Sequence, residues 1–441
     1  MTPPPNTTLD TPDALNKRDQ CDVAVIGGGL AGSLSAIHLA RAGFQVVLFE
    51  KEKHRSEKVC GEFLSAESLP LLREVGVDPI LLGGVEISKI GLHGPAQSCS
   101  FALPGRSIGI SHSVLDEELL RIAAESGADV RRGVRVTEIL EGLDETTGSI
   151  LLSTSVGETR AQRLVIATGT DGFHFLNERP NREPSPTGAY VGFKMHIRLK
   201  PSCAARLAGH CDLFSFNQGY GGLTDLGHGL ANFCFQIEKD ALKKLKIDWE
   251  SLTAHIGKSN WSASHMLDGA KPLASSFTSV AMNTAGFLRR DPAPAGFFFV
   301  GDQLAMIPSL TGDGMTIALM TARRAVEAMI EPVSGSSGLG EGIVSGSLGP
   351  VRFSFAPHAS RDYQRSMRSV LRPQLDSALA VHSLFKNPKL VDVSTYALRA
   401  FPSIFRKAFH TTRCRVFEPA KATRLRSWQK RAASAEIAPI R

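Results

Sequence analysis

Gly27, Gly29 and Gly32 stand in a G-x-G-x-x-G spacing after the apolar run 23–26, and Glu50 closes the next apolar run. That pattern suits a dinucleotide. The first glycine permits a tight turn, the second lets backbone approach a pyrophosphate, and the third lets a helix pack closely on a sheet. Glu50 lies 18 positions beyond Gly32 (50 − 32), where a carboxylate accepts hydrogen bonds from the adenosine ribose. A second set follows far along the chain. Asp302 ends the apolar run 296–300 through Gly301, and Pro308, Gly312, Asp313 and Gly314 precede the apolar stretch 315–330. A carboxylate so placed serves a sugar-like chain, and the free amides of a turn opening a helix face an anionic ring edge. A flavin offers both, in its ribitol hydroxyls and in a pyrimidine edge that becomes negative on reduction. The two sets together read as an FAD site.

The loop Arg55-Ser-Glu-Lys58-Val-Cys60-Gly-Glu62 gathers two cations and a thiol after the ribose-binding strand, ahead of a helix expected from about Glu62. Cys60 reads either as a reactive thiol or as a small packing residue. Tyr220, in the run 219–224, reads equally as a residue facing flavin or substrate and as a structural tyrosine. His93, His112 and His228 are loose candidates for proton transfer, and none is assigned that role. Near His112, Ser113 is expected to cap a helix with Asp116 at the third position. No metal-ligand grouping and no Ser-His-Asp arrangement is evident.

These residues require a strand, a glycine turn, a helix over about 30–42 and a second strand over 44–49, with a later strand–turn–helix over 296–330. Short alternating segments at 189–198, 213–217 and 230–237 predict a mostly antiparallel sheet with one shielded face. The expected fold class is α/β: a Rossmann-like FAD-binding domain, an inserted antiparallel substrate sheet and a helical C-terminal region. The FAD domain is discontinuous, at 21–82, 105–175 and 277–332, and the substrate domain takes 83–104 and 176–276. Residues 1–20 read as a disordered leader, 333–350 as a Gly/Ser-rich linker and 351–441 as a basic helical region.

The paired glycine and Asp302 motifs resemble the FAD-dependent monooxygenases and reductases of the para-hydroxybenzoate hydroxylase fold, a group that includes geranylgeranyl reductases. The resemblance covers most of residues 20–330. It implies that Asp302 meets the ribitol, that residues 308–314 lie under the pyrimidine edge, and that Asp171 sits beside the pyrophosphate. Asp171 alone also reads as a solvated turn residue. The Cys60-Gly61 pair is similar to the Cys-Gly loop of geranylgeranyl reductases, which implies that Cys60 lines the reaction chamber. Lys58 or Arg55 would then stabilise a reduced flavin or an acidic substrate. The Tyr-Gly-Trp-x-Phe-Pro run of those reductases is altered here, with Gly222 at the tryptophan and no Phe-Pro after it.

The chain has 441 residues, 42% apolar and 21% charged, so a large core is available. Seven scattered cysteines without a C-x-x-C pair fit a reducing cytoplasm. Residues 351–441 hold 18 Lys/Arg and 5 Asp/Glu, a net +13, so residues 1–350 carry 7 − 13 = −6. No nucleic-acid signature accompanies that charge. The stretch 396–409 mixes Phe and Ile with Arg and Lys like an interfacial helix, consistent with peripheral membrane contact. The expected activity is monooxygenation of a lipophilic aromatic or polyketide-like molecule with O2, with NAD(P)H as electron donor. The alternative is reduction of an isoprenoid or polyene double bond. Halogenation is disfavoured because a Trp-x-Trp-x-Ile-Pro run is absent, and a non-catalytic flavin or lipid carrier stands last.

Overall fold

A computed structural model describes residues 20–141, 149–171, 190–282, 286–331, 343–344, 351–353 and 358–413. The leader, most of the 333–350 linker and residues 414–441 lie outside them.

Two sheets organise the chain. In the first, Gln20–Ile26 runs parallel to Val46–Glu50 on one side and to Gly157–Ile166 on the other. Asp129–Arg132 and Phe297–Phe299 add further parallel strands, while Ile150–Thr154 and Val136–Glu141 continue antiparallel. Val23, Val25 and Ile26 are buried together with their neighbours, as suits a strand covered on both faces. The helix Leu30–Arg41 packs on this sheet with Leu34 and Ile37 fully inside. A Cβ at Gly32 would collide with the carbonyl oxygen of Gly27, so only glycine lets the helix approach.

The second sheet is antiparallel apart from one pairing, of His210–Phe216 with Val85–His93. Tyr190–Arg198, Leu230–Glu238, Gly219–Asp225 and His210–Phe216 form its centre. Val85–His93, Ser98–Gly109 and the short Phe63–Leu64 extend one side, and Thr278–Met282 lies on Tyr190–Arg198. Its Phe-rich face packs over the helices Trp249–Gly257 and Trp261–Leu267.

Two local expectations need correction. No helix starts near Glu62: that residue takes a left-handed φ of 55°, Phe63–Leu64 pairs with Ile108 and Gly109, and the helix begins only at Leu69. The buried Phe63 and Leu64 side chains favour the sheet edge over a helical turn. Ser113 is not a cap either, because the helix His112–Glu125 starts one residue earlier, with Ser111 at the boundary and no side-chain cap.

The C-terminal helices are Ala359–Phe385, Pro388–Ala400 and Pro402–Thr412, so Pro402 divides the expected interfacial stretch. Phe405 and Phe409 turn inward, Phe405 stacking on Phe101 at 4.2 Å.

Candidate functional site

Two helix N-termini without side-chain caps open onto one cavity of about 730 Å3. Gly29 begins one of them and Gly314 the other; both line the wall, as do Gly27, Glu50, Asp302 and Gly312. Gly27 holds φ at 106°, and a Cβ there would collide with the carbonyl of Ala167, whereas nothing approaches within 4 Å of a Cβ on Gly314. Unpaired amides at both ends of one chamber match a ligand with an anionic bridge and an anionic ring edge. The residues therefore fit FAD. Gly27, Gly29 and Glu50 would hold its adenosine diphosphate half, and Asp302, Gly312 and Gly314 the ribitol and ring. Glu50 is braced for this, accepting hydrogen bonds from the amides of Gly28 at 2.7 Å and Glu52 at 2.8 Å.

The loop 55–62 is tied to both sheets. Lys58 Nζ donates to Asp116 at 2.6 Å, on the cofactor side. Across the cavity, Asn232 Nδ2 donates to the Cys60 carbonyl and Thr224 Oγ1 to the Gly61 carbonyl, both at 2.8 Å. Glu62 accepts from Lys194 at 3.0 Å and from the amide of His112 at 3.1 Å, and lies 2.7 Å from the His196 ring. Glu57 accepts from Lys194 and from Ser113 Oγ. Glu57, Glu62 and His196 present ligand atoms within 4.8 Å of one another. Lys194 already bonds both carboxylates, so the protein's own ammonium supplies the positive charge.

Cys60 lines the cavity, and its Sγ accepts the amide hydrogen of Glu62 at 3.3 Å. The His112 ring lies beside it, 3.5 Å from Asp116. Burial alone would depress the imidazole, but the Asp116 carboxylate outweighs it, with Cys60 adding when it is a thiolate, and His112 is held up at about 10. Burial likewise opposes the Asp116 charge, yet Lys58 and His112 push its carboxyl well below the usual range. The outcome is a charged Lys58–Asp116–His112 chain ending at a thiol.

On the far wall, Tyr220 is buried with its hydroxyl 3.2 Å from both Ser309 Oγ and His382 Nδ1. Burial, with Lys386 adding to it, lowers His382 to about 4, so its ring is neutral near pH 7. Arg413 completes this side.

Of the residues picked from the sequence, Gly27, Gly29, Glu50, Lys58, Cys60, Tyr220, Asp302, Gly312 and Gly314 share the cavity. Gly32 serves helix packing instead. Arg55 lies off the wall, bonded to Ser113 and Ser111 hydroxyls. Pro308 is also off the wall, and Asp313 points away from it to Ser65 and Gln374. Lys58 stands over the glycine turn, its Nζ 2.9 Å from where a Cβ on Gly29 would lie and bonded to Asp116. Asp171 ends a short 3-10 turn, and its side chain lies outside the described residues. Sequence reasoning missed Lys194 and His196, although a lysine and a histidine two apart, flanked by Phe193, Met195 and Ile197 in one strand, were a readable signal.

Comparison with known proteins agrees with the cofactor site. A family model described as FAD binding domain matches residues 20–179. Menaquinone reductase of Mycobacterium tuberculosis is 23% identical over 335 residues, covering 70% of this chain and 77% of that protein. Digeranylgeranylglycerophospholipid reductase of Methanosarcina acetivorans is 25% identical over 403 residues, covering 86% and 88%. The structure of the flavin-dependent brominase Bmp2 superposes with a TM-score of 0.68 at 14% identity, over 94% of this chain and 98% of that one, which shows a common fold. The chain is an FAD-dependent oxidoreductase with an FAD-binding domain at residues 20–179, similar in sequence to the reductases named above and sharing a fold with other flavin-dependent enzymes.

Proposed function

We propose that the protein reduces a carbon–carbon double bond in a lipophilic polyene or isoprenoid, with NAD(P)H as the electron donor. The observation carrying this reading is Cys60, a thiol in the wall of the FAD cavity backed by His112 and Asp116. FAD, when bound, supplies the electron pair and one hydrogen of such a reduction. Cys60 supplies the other hydrogen as a proton, breaking its S–H bond as the new C–H bond forms. His112, held as an imidazolium, returns a proton to the sulfur and regains one from solvent. The two relatives named above match more than two thirds of the chain, and both carry reductase names, which supports this choice. At Gly222, in place of the tryptophan expected from the Tyr-Gly-Trp run of geranylgeranyl reductases, a Cβ would stand 2.9 Å from the Asp212 carbonyl, so a side chain there has little room.

Tyr220 favours a second reading. A buried hydroxyl held by Ser309 and His382 suits a phenolic substrate, and hence hydroxylation by O2. Product mass decides. Under anaerobic conditions with NAD(P)H, reduction adds two hydrogens to the product. A product that forms only in air and gains one oxygen overturns the reductase reading.

Among the described residues no helix is long and apolar enough to cross a membrane. We propose peripheral contact with an anionic bilayer instead. Leu390, Val393 and Tyr396 are exposed at helical spacing, with Phe401 and Ile404 just beyond, beside exposed Lys389, Arg406 and Lys407. Asp392, the acid of this segment, is engaged by the amides of Ala96 and Gln97.

A further inference from the structure

Arg413 follows the Pro402–Thr412 helix and turns its side chain into the cavity wall, where only 5% of it is exposed. The guanidinium lies over the Phe409 ring at 4.0 Å and 5.7 Å from the centre of Phe63. Its Nη1 is 3.6 Å from Asp313 Oδ1, which gives attraction without a hydrogen bond. Asp313 also accepts from Ser65 Oγ and Gln374 Nε2. Arg413 Nε and Nη1, both buried, donate no hydrogen bond. Buried N–H groups of a permanent cation are costly to leave unpaired, and a planar guanidinium is shaped to grip an oxyanion. The same cavity wall carries Phe63 together with Ile90, Leu213 and Leu310, which cluster with Phe409.

We propose that Arg413 receives the anionic head of the substrate, a carboxylate or similar oxyanion, while the apolar wall takes its hydrocarbon body. The substrate is then an acidic amphiphile. This rests on the preceding reading only in placing a lipophilic substrate in the chamber, and its test needs no turnover.

Dodecanoate and dodecanol are titrated separately into the FAD-loaded protein, and the flavin absorbance difference reports binding. Wild type is expected to bind dodecanoate at least about tenfold more tightly than dodecanol, in line with a charge-assisted hydrogen bond. Arg413→Gln is expected to lose about 10- to 100-fold in dodecanoate affinity and to leave dodecanol unchanged, with Arg413→Lys between. The proposal falls if wild type does not bind dodecanoate, or if Arg413→Gln binds it as wild type does. It also falls if the variant loses both probes equally, which would mean disturbed packing. A shift in flavin midpoint potential with dodecanoate affinity intact would assign the guanidinium to the ring edge and overturn the proposal. Failure to retain FAD would instead count against the cofactor site.

Discussion

The Lys58 ammonium lies 2.6 Å from the Asp116 carboxylate and 2.9 Å from where a Cβ on Gly29 would stand. The same carboxylate holds His112 at 3.5 Å, so one acid ties the cation over the glycine turn to the ring beside Cys60.

Replacing Asp116 by Asn is expected to weaken FAD binding and to change the pH dependence of stability. His112 is raised from 6.5 to about 10, so its contribution is complete below pH 6.5 and lost as pH rises through about 10. Asp116 is depressed from 3.8, so its contribution is present above that value and lost as pH falls through the lower folded value. Wild type should lose Tm between pH 6.5 and 10, and Asp116→Asn should lose markedly less over that window. Parallel Tm curves would contradict this network.

Gly27→Ala and Gly314→Ala should part company. The first forces a side chain onto the Ala167 carbonyl at a φ of 106° and is expected to cost about 1–3 kcal/mol, with loss of FAD. The second meets nothing within 4 Å and should fold normally. Denaturant midpoints and the flavin-to-protein absorbance ratio report both effects. Equal behaviour would mean that the turn is not strained as described.

Lys194→Met leaves Glu57 and Glu62 facing each other without their shared cation. Breaking a buried pair in this way costs about 3–5 kcal/mol. The double variant Lys194→Met/Glu62→Gln should recover part of that loss in urea unfolding. No recovery would locate the damage in packing rather than in charge.

Tyr220→Phe removes a hydroxyl shared by Ser309 and His382, at about 1 kcal/mol. His382 is depressed from 6.5 to about 4, so its share of stability is present above pH 6.5 and lost as pH falls to about 4. A His382→Gln protein should therefore show a shallower acid-side fall in Tm. An unchanged slope would mean that this ring does not stay neutral.

For the outer helices, flotation should recover wild type with vesicles of phosphatidylcholine and phosphatidylglycerol but not of phosphatidylcholine alone. Val393→Asp/Tyr396→Asp should abolish recovery, and Lys407→Glu should cut it about fivefold. A wild type that ignores lipid and instead dimerises through this face would refute membrane contact.

Local pattern made much of the cofactor half readable. The glycine turn, the terminal Glu50 and the Gly301-Asp302 strand end are each set by neighbours a few residues away, and they meet in one cavity. The loop 55–62 was recognised as chemical but misread in shape, because pairing of Phe63 with Gly109 and Leu64 with Ile108, 46 and 44 positions away (109 − 63 and 108 − 64), overrides any helical start. Ser113 looked like a cap because capping statistics ignore Glu57, which claims its hydroxyl from across the fold. His382 and Arg413 were invisible for the same reason: only the folding of the C-terminal helices onto Tyr220, Phe63 and Asp313 gives them a role.

The strand Phe63–Leu64 departs from the cofactor half of the chain to finish one edge of the other sheet, and Thr278–Met282 pairs at the other side of that sheet before the chain returns to the cofactor half. No single cut separates the two layers, so attempts to express either one alone as a soluble fragment should yield aggregates with unpaired edges.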